Sequence, residues 1–365
     1  MAILSLDLSL HSFVGGIVMI KCIKIFLPLA FSVSLLTIVT SRAGDFRDAE
    51  VIHIDYPSWF HNDPFIDMAD ATAKAKKAGK NGLMVLFTTE GCSYCAAFIK
   101  QSLGNPEVAK RVQKHFISVG LEIFDDTEMT APGGEHMAVK SFASKEGAGF
   151  APTLLFFDAN GKRTLGVVGY QSTERFTRIL DYLVSGDYKT ESLASYFARQ
   201  TSKGAKSASS DLLKDDPLFI KPPYALDRSR FPASQPMMLL FEEPGCSECT
   251  DFHNNVLALD EVRNALKRFE VVRLNTGDNT TPVIAPDGKR TTAKAWFGQT
   301  GFTRVPALLF FDEKGNEVLR TDALVKQQRM MNSLNYVLER AFEKNWTYQR
   351  FARSKAIERN LKKQK

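Results

Sequence analysis

Two uninterrupted apolar runs stand out along the chain, Leu83-Met84-Val85-Leu86-Phe87 and Met237-Met238-Leu239-Leu240-Phe241. Neither alternates with polar residues, and Gly or Pro bounds each on both sides, the pattern of a strand buried on both faces of a sheet. Further strands are predicted at Phe116–Ile123 and Val271–Leu274, and at Thr153–Phe157 and Ala307–Phe311. The last two follow an X-Pro step and lead into Asp-Ala-Asn-Gly and Asp-Glu-Lys-Gly, which read as hairpin turns with Asp158 and Asp312 capping them. Helical spacing predicts helices over Phe65–Ala78, over Pro106–Lys114 with proline at its start, over Ser172–Val184 and over Lys326–Phe342. The fold class expected is α/β: two tandem domains, each a mixed central sheet flanked by helices.

The order of elements repeats, and the repeat has a fixed period. Cys92 and Cys95 in FTTEGCSYC match Cys246 and Cys249 in FEEPGCSEC at an offset of 154. Pro152 matches Pro306 at the same offset, as do Lys140 and Lys294, Phe142 and Trp296, and Phe197-Ala198-Arg199 and Phe351-Ala352-Arg353. The expected domains are 45–200 and 216–354. The small polar stretch 201–215 reads as a linker and 355–365 as a basic tail.

Ahead of the repeat, Lys21 and Lys24, then the uncharged stretch Ile25–Val39, then Ser41-Arg42-Ala43 form the three parts of a signal peptide. Residues 1–43 are therefore expected to be removed, with Met19 a candidate natural start and an uncleaved membrane anchor the alternative reading. The expected location is the periplasm, an oxidising compartment. Composition is that of an ordinary globular protein: 44% hydrophobic, 24% charged and a net charge of +6 without long basic runs. No nucleic-acid partner is expected.

Five cysteines are too few for a disulfide scaffold, and four of them form the two Cys-x-x-Cys pairs. Two thiols at i and i+3 on the first helical turn share a face and close a reversible disulfide. The helix N-terminus stabilises the thiolate of the first cysteine, and the second resolves a mixed disulfide. Each pair follows a buried strand, opens a helix and precedes an X-Pro strand, the proline coming 57 residues after its second cysteine. A zinc site built from both pairs is disfavoured by their separation. Soft-metal (copper) binding by one pair, or a non-catalytic binding module or chaperone, are the competing readings. No cofactor is expected. His253, one helical turn beyond Cys249, reads as a surface histidine, with tuning of Cys249 as its alternative role.

This order, with AKKAGKNGLMVLFTTEGCSYC, NPEVAKRV and PTLLFFDANGK, resembles the thioredoxin superfamily, and within it the periplasmic SoxW-like thiol-disulfide reductases. The resemblance implies nucleophilic Cys92 and Cys246, resolving Cys95 and Cys249, and cis prolines at Pro152 and Pro306. It implies that the backbone of Ala151 and Val305 pairs with an extended substrate. Protein disulfides would then be the substrates and a membrane thiol-disulfide carrier the electron donor. The sequence departs from thioredoxin in having Gly91 and Gly245 where a Trp precedes the motif. Leu86 and Leu240 stand where a buried Asp accepts protons. Glu242, Glu243 and Glu248 near the second pair are expected to disfavour its thiolate and make that couple the more reducing.

Overall fold

The computed structural model describes residues 46–61, 66–204 and 215–363; the expected signal segment, residues 1–43, lies outside them. Each repeat folds around a four-stranded sheet. In the first domain Gly82–Thr88 pairs in parallel with Phe116–Glu122 and antiparallel with Thr153–Asp158, which pairs in turn with Arg163–Val168. In the second, Met237–Glu242 pairs with Glu270–Asn275 and Ala307–Phe311, and Glu317–Thr321 closes the edge.

The apolar runs are continuous because each central strand separates two cores. Met84 and Leu86 face one cluster while Leu83, Val85 and Phe87 face the other. Met238 and Leu240 face one side in the second domain, and Met237, Leu239 and Phe241 the opposite side. Side chains on a strand alternate with period two, so the residue after Phe241 rejoins the Leu240 face. That residue is Glu242, and it is buried.

Two of the four expected helices begin and end within a residue of where the sequence places them. Asn105 caps Pro106–His115, accepting from the Glu107 and Val108 amides, and Ser172 caps Thr173–Ser185. Met68–Lys77 starts after Asp67, later than the expected Phe65. The closing helix of the second domain is shorter than expected: it spans Gln327–Leu338, because Arg340 turns left-handed at φ 52° and a short 3-10 turn follows over Ala341–Lys344. A helix over Leu193–Gly204 ends the first domain, so the first residues of the stretch read as linker are helical. Its counterpart, Tyr348–Lys363, takes in most of the residues read as a tail. Small pairings between the main elements, Glu128–Thr130 with His136–Ala138 and Val283–Ile284 with Arg290–Thr291, had no clear apolar signature. Among the described residues no helix is long and apolar enough to cross a membrane.

The two domains pack into one unit and exchange side chains. Phe150 of the first domain stacks on Tyr348 of the second at 5.2 Å and packs against the second domain's core, while Leu324 packs against the first domain's.

Candidate active sites

Both cysteine pairs are disulfide-bonded, with Cα–Cα distances of 5.3 and 5.2 Å. Cys92 and Cys246 occupy the N-cap position of the helices that start at Ser93 and Ser247, and both helices continue through a π-helical turn. The Cys92 sulfur accepts from the Cys95 amide at 3.1 Å, and the Cys246 sulfur from the Cys249 amide at 3.0 Å. An N–H of the first helical turn thus points at the sulfur that must carry negative charge, the Cys95 amide being shared with the Cys92 carbonyl. Gly91 and Gly245 precede the cysteines at φ +79° and +75°. A side chain is strained there, which explains why glycine and no tryptophan occupies these positions.

Ala151–Pro152 and Val305–Pro306 are both cis. The Cys246 sulfur lies 3.9 Å from the Val305 carbonyl oxygen, which sets the second pair against its X-Pro loop. The second pair and its X-Pro step therefore form one site; in the first domain Arg329 links the two, lying over Tyr94 of the motif and bonding the Ala151 carbonyl.

The surroundings of the two sites differ. At the first, the backbone of Ala151 is fully buried. Its N–H donates to Gln349 Oε1 at 3.1 Å and its C=O accepts from Arg329 Nη2 at 3.0 Å. Both partners belong to the second domain, and they occupy the groups for which an extended substrate was expected. Arg329 also lies over the Tyr94 ring, its guanidinium carbon 3.3 Å from the centroid. The Tyr94 hydroxyl donates to Asp48 Oδ2 at 2.8 Å and accepts from the Lys326 amide at 2.9 Å. Burial pushes the Tyr94 phenol well up, so it stays a neutral donor. Asp48 accepts from the amides of Gln328 and Arg329, capping the second domain's closing helix from the first domain's entry segment. What remains open beside Cys92 is a cleft of about 60 Å³ that Arg329, Arg353 and Arg359 also line.

The reciprocal contact is weaker. Arg175 stands at the position equivalent to Arg329, at the offset of 154, and reaches the second domain's X-Pro loop, donating to Thr303 Oγ1 at 2.8 Å. Val305 and Pro306 remain partly exposed, and Ser247 and Glu248 are exposed. The expected burden of Glu248 on the Cys246 thiolate is offset, because its carboxylate acts on both Arg175 and Arg304. Burial pushes the Arg175 guanidinium down to about 9, which leaves it charged at neutral pH. Between the two arginine contacts, Gly169 meets Ala323, its equivalent in the repeat. A Cβ on Gly169 would come within 2.2 Å of the Ala323 methyl.

In the second domain, Glu242, counted in the sequence only as one of three charges near Cys246, forms a buried pair. Glu242 is 1% exposed and bonds His253 Nε2 at 2.8 Å, with Arg273 at 3.6 Å on its other oxygen. His253 is partly buried in this pair, so it is not an ordinary surface histidine. Residues 249 and 253 are one turn apart on the same helical segment, and the pair places a buried carboxylate in the second domain two residues after Leu240. The first domain has Thr88 at the equivalent place, bonded to the Tyr56 hydroxyl at 2.6 Å. The signal was available in the strand's period-two alternation, which puts residue 242 on the inward face below the motif.

The model of the thioredoxin-like domain family matches residues 68–184 and 232–338, and the chain belongs to that family. Among solved structures, a thioredoxin-fold protein from Helicobacter pylori aligns at 21% identity over 40% of this chain and 88% of its own, with a TM-score of 0.33. A thioredoxin from Thermus thermophilus aligns at 21% identity over 33% of this chain and 85% of its own, with a TM-score of 0.26. The oxidised C-terminal domain of DsbD from Neisseria meningitidis aligns at 19% identity over 32% and 96%, also at 0.26. No curated protein sequence matches significantly.

Proposed function

We propose that this protein is an exported thiol-disulfide oxidoreductase that reduces protein disulfides through two Cys-x-x-Cys sites. The observation that carries the reading is made twice: the first cysteine caps a helix, accepts the amide of the second, and belongs to a domain with a cis X-Pro loop. In the reduced enzyme the Cys246 thiolate attacks a substrate disulfide, forms a mixed disulfide and expels one substrate thiolate. Cys249 then attacks the Cys246 sulfur, expels the second thiolate and closes the Cys246–Cys249 disulfide. Two electrons pass to the substrate, and the two cysteine protons end on its thiols.

An oxidised site must be recharged by two electrons, and a membrane thiol-disulfide carrier is the partner this chemistry requires in an oxidising compartment. Insulin reduction by the wild type and by the Cys92→Ser/Cys246→Ser variant tests the activity. Wild type should turn over with dithiothreitol as donor and the variant should not. Equal behaviour would leave a binding module or chaperone. Fractionation of cells, with N-terminal sequencing of the product, tests export and cleavage after Ala43.

A relay between the sites is the finer form of the proposal. Its support is that the Arg175, Arg329 and Gly169–Ala323 contacts turn both active-site faces toward one interface. A Cys95→Ser/Cys249→Ser chain should then trap an internal Cys92–Cys246 disulfide in the monomer, and absence of that crosslink would mean independent sites.

A further inference from the structure

Resting on the thiol-disulfide reading, we infer that the two sites divide substrates by size. Cys246/Cys249 takes disulfides carried on extended protein segments, and Cys92/Cys95 takes only low-molecular-weight disulfides.

The thioredoxin resemblance implies that an extended polypeptide pairs its backbone, as an added strand does, with the N–H and C=O of the residue before the proline. At Ala151 both groups are already bonded, to Gln349 and to Arg329. Those side chains cannot swing aside singly. Arg329 is 6% exposed and lies over Tyr94 and Phe150, while its own amide is held by Asp48; Gln349 is 7% exposed and sits on the helix whose Tyr348 stacks on Phe150. Admitting a strand would mean parting the domains. The cleft of about 60 Å³ beside Cys92 holds a few water molecules, so a small disulfide, which needs no backbone pairing at Ala151, keeps a route to the sulfur.

The second site lacks this cover. The helix equivalent to Tyr348–Lys363 carries Ala194 and Ser195 at the positions of Tyr348 and Gln349, both too short to reach across. Arg175 stops at Thr303, two residues short of Val305, whose carbonyl faces the Cys246 sulfur.

At the first site the small disulfide RSSR is attacked by the Cys92 thiolate, giving Cys92–S–SR and one RS⁻. Cys95 attacks the Cys92 sulfur, the second RS⁻ leaves, and the Cys92–Cys95 disulfide closes. The enzyme dithiol loses two electrons and RSSR gains them, with the two thiol protons ending on RSH. The recharging reductant is a dithiol, dithiothreitol in the assay.

The experiment uses full-length Cys246→Ser/Cys249→Ser and Cys92→Ser/Cys95→Ser proteins, each reduced and assayed with insulin and with 2-hydroxyethyl disulfide. Both forms should reduce 2-hydroxyethyl disulfide. The form keeping only Cys92/Cys95 should reduce insulin more slowly by about 30-fold, the equivalent of two lost backbone hydrogen bonds. Adding Arg329→Ala and Gln349→Ala to that form should raise its ratio of insulin to 2-hydroxyethyl disulfide turnover. Insulin reduced equally by both sites would overturn the division while leaving the oxidoreductase reading intact. Inactivity of both forms toward both disulfides would overturn the oxidoreductase reading, and the division with it. The first comparison needs no change at the interface, so it decides the matter even where the arginine and glutamine replacements unfold the protein.

Discussion

The two domains carry the same motif on the same scaffold, yet one site is covered and the other is open. Both Cys92 and Cys246 are partly exposed, but at the first site Arg329 and Gln349 hold the Ala151 backbone and Asp48 holds the second domain's helix, whereas Ser247 and Glu248 beside Cys246 face solvent. The chemistry of the pairs is alike, since both sulfurs accept the same amide at nearly the same distance. What separates them is supplied from outside each motif: Arg329 and Gln349, one on each of the second domain's last two α-helices, one carboxylate in the entry segment, and a buried Glu–His pair in place of a Thr–Tyr pair. A duplicated domain thus acquires unequal sites through changes that leave the catalytic atoms untouched.

The largest effect is expected from separating the domains. Gly169 is at φ +83°, and its missing Cβ would strike the Ala323 methyl. Gly169→Val should cost about 2–4 kcal/mol, read as a lower denaturation midpoint, because it adds backbone strain to a clash at a packed contact. It should also raise the reactivity of Cys92 toward that of Cys246. A stable protein with Cys92 still sheltered would show that this contact does not hold the cover.

Next comes Asp48, which bonds Tyr94 and two amides of the second domain's helix at once. Asp48→Ala should lower stability by about 2 kcal/mol, through loss of a helix cap and of bonds to a charged acceptor. Hydrogen exchange should quicken at Gln328 and Arg329 while the Cys246–Cys249 helix stays protected. Uniform quickening in both domains would count against a local clamp.

The potentials should differ by less. Arg329 shares the cleft with Cys92, while Glu242 is buried four residues before Cys246 and Glu248 stands in the second motif, offset in part by Arg175 and Arg304. The Cys92/Cys95 couple should be the more oxidising by about 30 mV, measured for each pair with the other replaced by serine. Equal potentials would remove any electrostatic direction for a relay.

The smallest effect concerns how the second domain is entered. Asp216 is bound by Arg263 of its own domain at 2.9 and 3.0 Å, where Asp48 reaches across to the other domain. The Arg263 guanidinium, with help from the Leu218 amide, holds the Asp216 carboxyl down to about 2. A depressed value stabilises the fold above the ordinary carboxylate range and ceases to do so as pH falls through about 2. Asp216→Asn should therefore cost about 1 kcal/mol at neutral pH, with the gap from wild type closing between about pH 4 and 2. A gap that persists in acid would mean the pair is not its source.

The sequence made the scaffold legible because each of its signals is local. Unbroken apolar runs gave the central strands, Asp158 and Asp312 accept the turn amides they were placed to accept, and the repeat fixed both cysteine pairs and both prolines. The cover over Cys92 was not legible, since Asp48, Arg329 and Gln349 each lie on a polar stretch whose partner is in the other domain. The match of Arg175 with Arg329 at the offset of 154 was the one hint that this helix position looks outward in both copies. The closing helix was read too long because nothing in Glu339-Arg340-Ala341 announces a left-handed residue.

The measurement that tests the unequal sites most directly is alkylation of the fully reduced protein, followed by mass spectrometry, with two reagents of different size. Iodoacetamide should modify both Cys92 and Cys246. A maleimide on a long polyethylene glycol chain should modify Cys246 and leave Cys92 largely untouched until the protein is unfolded. Modification of Cys92 by the large reagent as fast as Cys246 would contradict the account.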